Sequence, residues 1–292
     1  MKMNFKLAIL ALIVFGFACS PQKKEEKSKE EAFDKAEAEV NEQIKEVIAE
    51  MPAPSEIPFL LMETGAEFSP SLLHDIKMAS KYTTKNEKAL NLGAYATDVA
   101  YLSAYSKSQK ALTYVAELKP IADQLALSNA FNPKMIERFE KNLSSTDSLA
   151  AIINEAVENA DDHLKKTDRP KVSAMLLAGS FIEGLYIATA LIENYPDDVL
   201  PDDAKTLILI PLVDVVLKQE EPVIDLIALL KSVPSDEKTK ALIADLEQLK
   251  EEYKKLDVKK LMEEGRGDLL LKDEALDALT NTTGKIRDHI TG

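Results

Sequence analysis

Residues 172–192, VSAMLLAGSFIEGLYIATALI, decide the fold. They hold a single charge, Glu183, and carry apolar or small side chains around the whole helical circumference, the pattern of a helix enclosed by protein on every side. Working outward, the apolar spacing is helical almost everywhere. It predicts helices near 69–81, 86–106, 108–127, 133–142, 146–166, 170–195, 202–219, 222–232, 235–256 and 272–289. Pro133, Pro170 and Pro222 suit first-turn positions, and Ser235-Asp236-Glu237 places a cap ahead of acidic first-turn residues. No stretch alternates like a strand. The expected fold is all-α, a helical bundle.

Composition agrees. The 292 residues include nine glycines, no tryptophan and 6% aromatics, which favours helices over sheets. A hydrophobic content of 46% is enough for a sizeable core and excludes wholesale disorder. One cysteine excludes an internal disulfide or a cysteine-based zinc site. With 36 basic against 50 acidic residues the net charge is -14, which argues against a general nucleic-acid binder.

The amino terminus reads as an address. Lys2 and Lys6 precede an apolar run, Leu7 to Phe15, too short to span a bilayer, and the run ends in small Gly16 and Ala18. The lone cysteine follows in Gly16-Phe17-Ala18-Cys19-Ser20. These residues resemble a bacterial lipoprotein precursor, although Phe17 and Gly16 depart from the residues usual there. The resemblance implies that residues 1–18 are removed and that Cys19 carries the lipid. Each buried methylene of an acyl chain contributes about 0.8 kcal/mol, so two or three chains would hold the protein stably on a membrane. Loss of Lys2 and Lys6 would take the net charge from -14 to -16. Lys24-Glu25-Glu26 is similar to the signal that sends some Bacteroidota lipoproteins to the outer face of the outer membrane. In whole-chain character the protein resembles the all-helical outer-membrane lipoproteins of Bacteroidota. That implies an outer-membrane location, at the cell surface rather than in the periplasm.

Residues 19–57 read as lipidated cysteine, charged tether and amphipathic helix. The helix carries a stripe of Phe33, Ala36, Val40, Ile44, Val47 and Met51 and is expected to pack on the body. Pro52, Pro54 and Pro58 are expected to stop it and force an extended connection, so that the all-α domain spans 58–292. Within that domain Gly93 to Ala104 lies against Ala178 to Thr189 across a shift of 85 residues, both with small residues, an acid, and Tyr three positions later. Glu117 to Asp123 similarly lies against Gln219 to Asp225. This suggests two helical units, near 86–166 and 171–256, duplicated about a pseudo-twofold axis.

The duplication singles out Asp98, Tyr101, Glu183 and Tyr186. A buried carboxylate needs a partner or a proton, since leaving it charged and alone costs several kcal/mol. Each tyrosine is three residues after its acid and shares its helical face. Two readings stand side by side. The four side chains form a pocket for a small ligand or a pair of acid–base carboxylates, or the tyrosine hydroxyls satisfy the acids in a buried structural network. Tyr95 and Tyr105 extend the aromatic stripe and read as core.

Other chemistry has little footing. His74, His163 and His289 lack helix-spaced His or Cys partners, so no metal and no cofactor is expected. The acidic run Asp197 to Asp203 lacks the glycine of a calcium loop and reads as a solvated turn. Gly179-Ser180 is no nucleophile elbow, and Gly265-Arg266-Gly267-Asp268 is no phosphate loop. The expected function is a lipid-anchored cell-envelope protein acting as a ligand-binding or protein-interaction module, not an enzyme. Its partners would be the membrane, through the lipid, and a small molecule or envelope protein. A carboxylate-dependent hydrolase and a passive envelope scaffold are the alternatives.

Overall fold

Two helices without a polar face need neighbours on every side, and the architecture follows from that requirement. The computed structural model describes residues 51–195, 202–256 and 274–292, with side chains from residue 207 onward in the second stretch. Cys19, the tether, most of the stripe helix, residues 197–201 of the acidic turn and the Gly265 turn lie outside the described residues. Ten α-helices and no strand occur among those described. They are α1 (Glu56–Glu63), α2 (Lys85–Ala104), α3 (Ser108–Gln124), α4 (Pro133–Lys141), α5 (Thr146–Lys166), α6 (Pro170–Glu193), α7 (Asp202–Leu217), α8 (Glu220–Ser232), α9 (Glu237–Lys255) and α10 (Glu274–Thr291). The protein is an all-α helical bundle.

Helix α6 is long and apolar enough to cross a membrane by length and composition, yet 83% of its apolar window is buried inside the protein. It is the core helix. Its main neighbour is α2, and α1, α5, α7, α8 and α10 cover its other sides. The approach of α2 to α6 depends on glycine. A Cβ on Gly93 would overlap the carbonyl oxygen of Leu176, and one on Gly179 would overlap that of Leu90. Thr97 closes the seam by donating to the Ser180 carbonyl at 2.9 Å. Contacts advance together along both helices, from Leu90 with Gly179 to Thr97 with Gly184, so α2 and α6 run side by side in parallel.

Helix ends are set by local chemistry. Thr84 and Glu87 form a reciprocal capping box on α2. Asn132, Ser145 and Asp236 cap α4, α5 and α9 through their side chains. Three helices end on a non-glycine residue with positive φ, at Ser106, Ala126 and Asp168. Each is followed by the paired backbone bonds of a Schellman turn, such as Leu127 N–H to Ala122 O at 2.8 Å.

Two expectations need correction. Residues 69–81 do not form an α-helix but two 3-10 turns, Pro70–Leu72 and Ile76–Lys81, separated by extended backbone at Leu73 and Asp75. Pro58 does not hold an extended connection either. It lies in the first turn of α1, where a missing N–H costs nothing. Packing also reaches back past Pro58: Met51 belongs to the core and Ser55 N–H donates to Asn154 Oδ1 at 3.3 Å.

Candidate functional site

The strap between α1 and α2 shows why its helix fails to form. Its backbone polar groups are claimed by side chains from the helices beneath. Tyr95 donates to the Asp75 carbonyl at 2.9 Å, Tyr114 donates to the His74 carbonyl at 3.0 Å, and Tyr101 accepts from Ser69 N–H at 2.9 Å. Asp98 Oδ2 accepts His74 N–H at 3.0 Å. The His74 ring stacks on Tyr95 with centroids 4.5 Å apart, and its Nε2 shares a 2.5 Å hydrogen bond with the Tyr82 hydroxyl, which donates to the Thr291 carbonyl at 3.0 Å. The aromatic stripe thus holds an irregular segment against α2 and α3.

The acids are buried, Asp98 at 0% and Glu183 at 1% exposure. Their partners differ from the tyrosines expected. Glu183 receives Arg287 of α10 in two-point fashion, Nε to Oε2 and Nη2 to Oε1, both at 3.3 Å. Arg287 also lies over the Tyr186 ring, 4.7 Å from its centroid. Neither Tyr101 nor Tyr186 satisfies an acid. Asp98 Oδ1 has no hydrogen-bond partner among the described residues.

Burial governs the titration here. It pushes the Asp98 carboxyl well above its ordinary value, and the nearby charge of Glu183 adds to the shift. Burial raises Glu183 as well, against the opposing pull of Arg287. His74 is lowered to about 4, by burial first and then by the charge of Arg287. Burial pushes Tyr82 up to about 12. One guanidinium therefore serves two buried carboxyls, and Asp98 is the one without a cation bonded to it.

A groove lies beside this centre and shares Tyr82 and Thr291 with it. Its volume is about 570 Å³, within the range of small-molecule sites. Met78, Tyr82, Leu90, Leu242 and Ile290 form apolar lining from the second 3-10 turn, α2, α9 and α10. Lys81, Glu87, Lys238, Asp245 and His289 supply charge around it. Glu87 of α2 pairs with Lys238 of α9, and Asp245 of α9 pairs with His289 of α10 at 3.0 Å. A second cavity, about 30 Å³, is lined by Val99, Phe131, Phe139 and other apolar residues. Neither cavity is lined by Asp98, Tyr101, Glu183 or Tyr186.

The geometry thus brings Asp98 and Glu183 into one electrostatic neighbourhood and buries both, away from the lining of either cavity described. Among the described residues, no group of three or more His, Cys, Asp or Glu is arranged to hold a metal ion. Sequence reasoning missed Arg287 and His74 as members of the network. The signal for Arg287 was its place on the apolar stripe of α10 between Thr283 and Ile290, both buried. His74 carried no such signal, because the apolar spacing of its segment pointed to a helix that does not form.

Fold and site together define an all-α bundle with a buried carboxylate–guanidinium centre and a lateral apolar groove. No family, curated protein or solved structure matches the chain.

Proposed function

We propose that this is a lipid-anchored cell-envelope protein, attached through Cys19, whose helical body binds a small ligand in the groove between the second 3-10 turn, α2, α9 and α10. The observation that carries the binding role is the groove itself, about 570 Å³ with an apolar floor. In this reading Asp98, Tyr101, Glu183 and Tyr186, expected from the sequence to line a ligand site, act as the support that fixes the groove's walls. Arg287 ties α10 to Glu183, and Tyr82 ties the strap to the end of α10. The hydrolase reading draws no support from acids this deeply buried. The scaffold reading would draw on an exposed apolar patch, and the large apolar side chains exposed among the described residues are only Leu207 and Ile224. The parallel seam of α2 and α6 supports the duplicated arrangement of two units.

Two experiments test the reading. Metabolic labelling with a radioactive fatty acid should mark the wild-type protein and not Cys19→Ala, and labelling of both or neither removes the anchor. Methyl NMR during titration with a single-chain detergent should move Met78, Leu242 and Ile290 together. Leu242→Trp, which fills the floor, should abolish that response. Unchanged methyl signals across the titration defeat the groove as a ligand seat.

A further inference from the structure

We infer that residues 66–82 form a separately opening strap, hinged at Gly65, which covers Asp98 and carries one wall of the groove. The inference stands whether or not the groove holds a ligand. What sets the strap apart is how it is attached. Among the described residues no backbone–backbone hydrogen bond joins it to another element. It is held at single points: Ser69 N–H donates to the Tyr101 hydroxyl and His74 N–H to Asp98, while the hydroxyls of Tyr95, Tyr114 and Tyr82 donate to the carbonyls of Asp75, His74 and Thr291. Each point can be released without breaking a helical turn beneath it. Of the strap's side chains only Ala66, Leu72, His74 and Ala79 are fully buried, with Phe68, Leu73 and Ile76 packed on the core in part. Helix α6, by contrast, is buried along most of its length.

Both ends suit a hinged movement. Gly65 has φ +83° and space around it, since a Cβ there would meet nothing within 4 Å, so the backbone can turn at this residue. At the other end Tyr82 is extended and Thr84 caps α2, so regular helix begins only after the strap has ended. Closure also leaves Asp98 Oδ1 buried without a hydrogen-bond partner among the described residues, and opening supplies it with water. A segment with few buried apolar contacts, tied down by side chains and relieving a buried acceptor as it leaves, opens at lower free energy than the helices it covers. Met78, Lys81 and Tyr82 line the groove, so the same movement widens it.

Amide hydrogen exchange followed by NMR on the full chain tests this. The Ser69 and His74 amides should share one opening equilibrium, with protection at least tenfold below that of the slowest amides of α2 and α6. Ile227→Val removes a buried methylene from α8, whose neighbours are α6 and α9. It should speed the slowest amides of α2 and α6 about two- to twelvefold and leave Ser69 and His74 unchanged. Gly65→Ala strains the closed backbone at positive φ and should speed both sets alike, about five- to thirtyfold. If Ile227→Val accelerates Ser69 and His74 as much as the helices, the strap opens only with the whole bundle and the inference fails. Unequal opening equilibria at Ser69 and His74 overturn the single unit. Acceleration of the helices alone by Gly65→Ala, or of neither set, overturns the hinge.

Discussion

The buried centre and the groove are built from the same kinds of residue, carboxylates facing cations, and behave oppositely because one has lost its water. At the centre, Glu183 and Arg287 meet with 1% and 14% of their side chains exposed. At the groove, Glu87 and Lys238 meet with 24% and 71% exposed. Removing one partner at the centre strands a charge that no water reaches, whereas removing one at the groove returns the other to solvent. Partner geometry follows the same division. The centre uses a planar guanidinium that bonds two oxygens and stacks on Tyr186, and the groove uses flexible lysines on exposed helix faces.

The largest effect should come from breaking the buried pair. Arg287→Met is expected to destabilise the protein by about 3–5 kcal/mol, the usual cost of an orphaned buried partner, as a shift in the urea midpoint at pH 7. A loss under about 1 kcal/mol would mean that Glu183 discharges freely and that the centre resembles the groove.

His74 sets the next effect. Its folded value near 4 lies below the ordinary 6.5, so the unfolded chain binds the extra proton in between. Stability is then complete above about 6.5 and falls as pH drops toward 4, by about 3 kcal/mol for a shift of this size. Unfolding free energies measured across that range should show this acid limb, and His74→Phe should flatten it. The same limb in the variant would assign the acid sensitivity elsewhere.

Asp98→Asn should cost less than about 1 kcal/mol at neutral pH, because burial disfavours the carboxylate and the neutral amide still accepts His74 N–H through its oxygen. Its raised folded value works against that of His74. Asp98 contributes stability below its unfolded value near 3.8, and this is lost as pH rises through the folded value. The variant should therefore steepen the acid limb left by His74. A loss of several kcal/mol at pH 7 would show that Asp98 is charged.

Lys238→Met should change stability by less than about 0.5 kcal/mol in the same urea assay. A larger loss would place the groove's ion pair with the buried one and erase the contrast between the two regions.

Much of this was legible before the structure. Helix α5 begins and ends where its spacing predicted and the limits of α2 to α4 and α6 to α10 lie within a few residues of those expected, whereas α1 falls in a stretch read as an extended connection. The burial of Asp98 and Glu183 followed from their apolar surroundings on α2 and α6. The strap was misread because Leu72, Ile76 and Ala79 happen to be spaced like one helical face. Nothing local reports that Tyr95, Tyr101, Tyr114 and Asp98 will claim its carbonyls and N–H groups. The pairing of acids with tyrosines failed for a related reason: a shared helical face says which side chains are neighbours, not which donor arrives from another helix.

By itself the sequence determined the helices from α2 onward, the cap of α9, and the two positions where a carboxylate would lose its water, because periodicity, capping and burial patterns act over a few turns of chain. Tertiary structure alone decided that Arg287 from the last helix meets Glu183, that His74 fills the space beside Asp98, and that α9 and the strap leave an apolar groove between them. Those outcomes depend on the approach of segments 24 to 209 residues apart, from His74 with Asp98 to Tyr82 with Thr291, which no local pattern encodes.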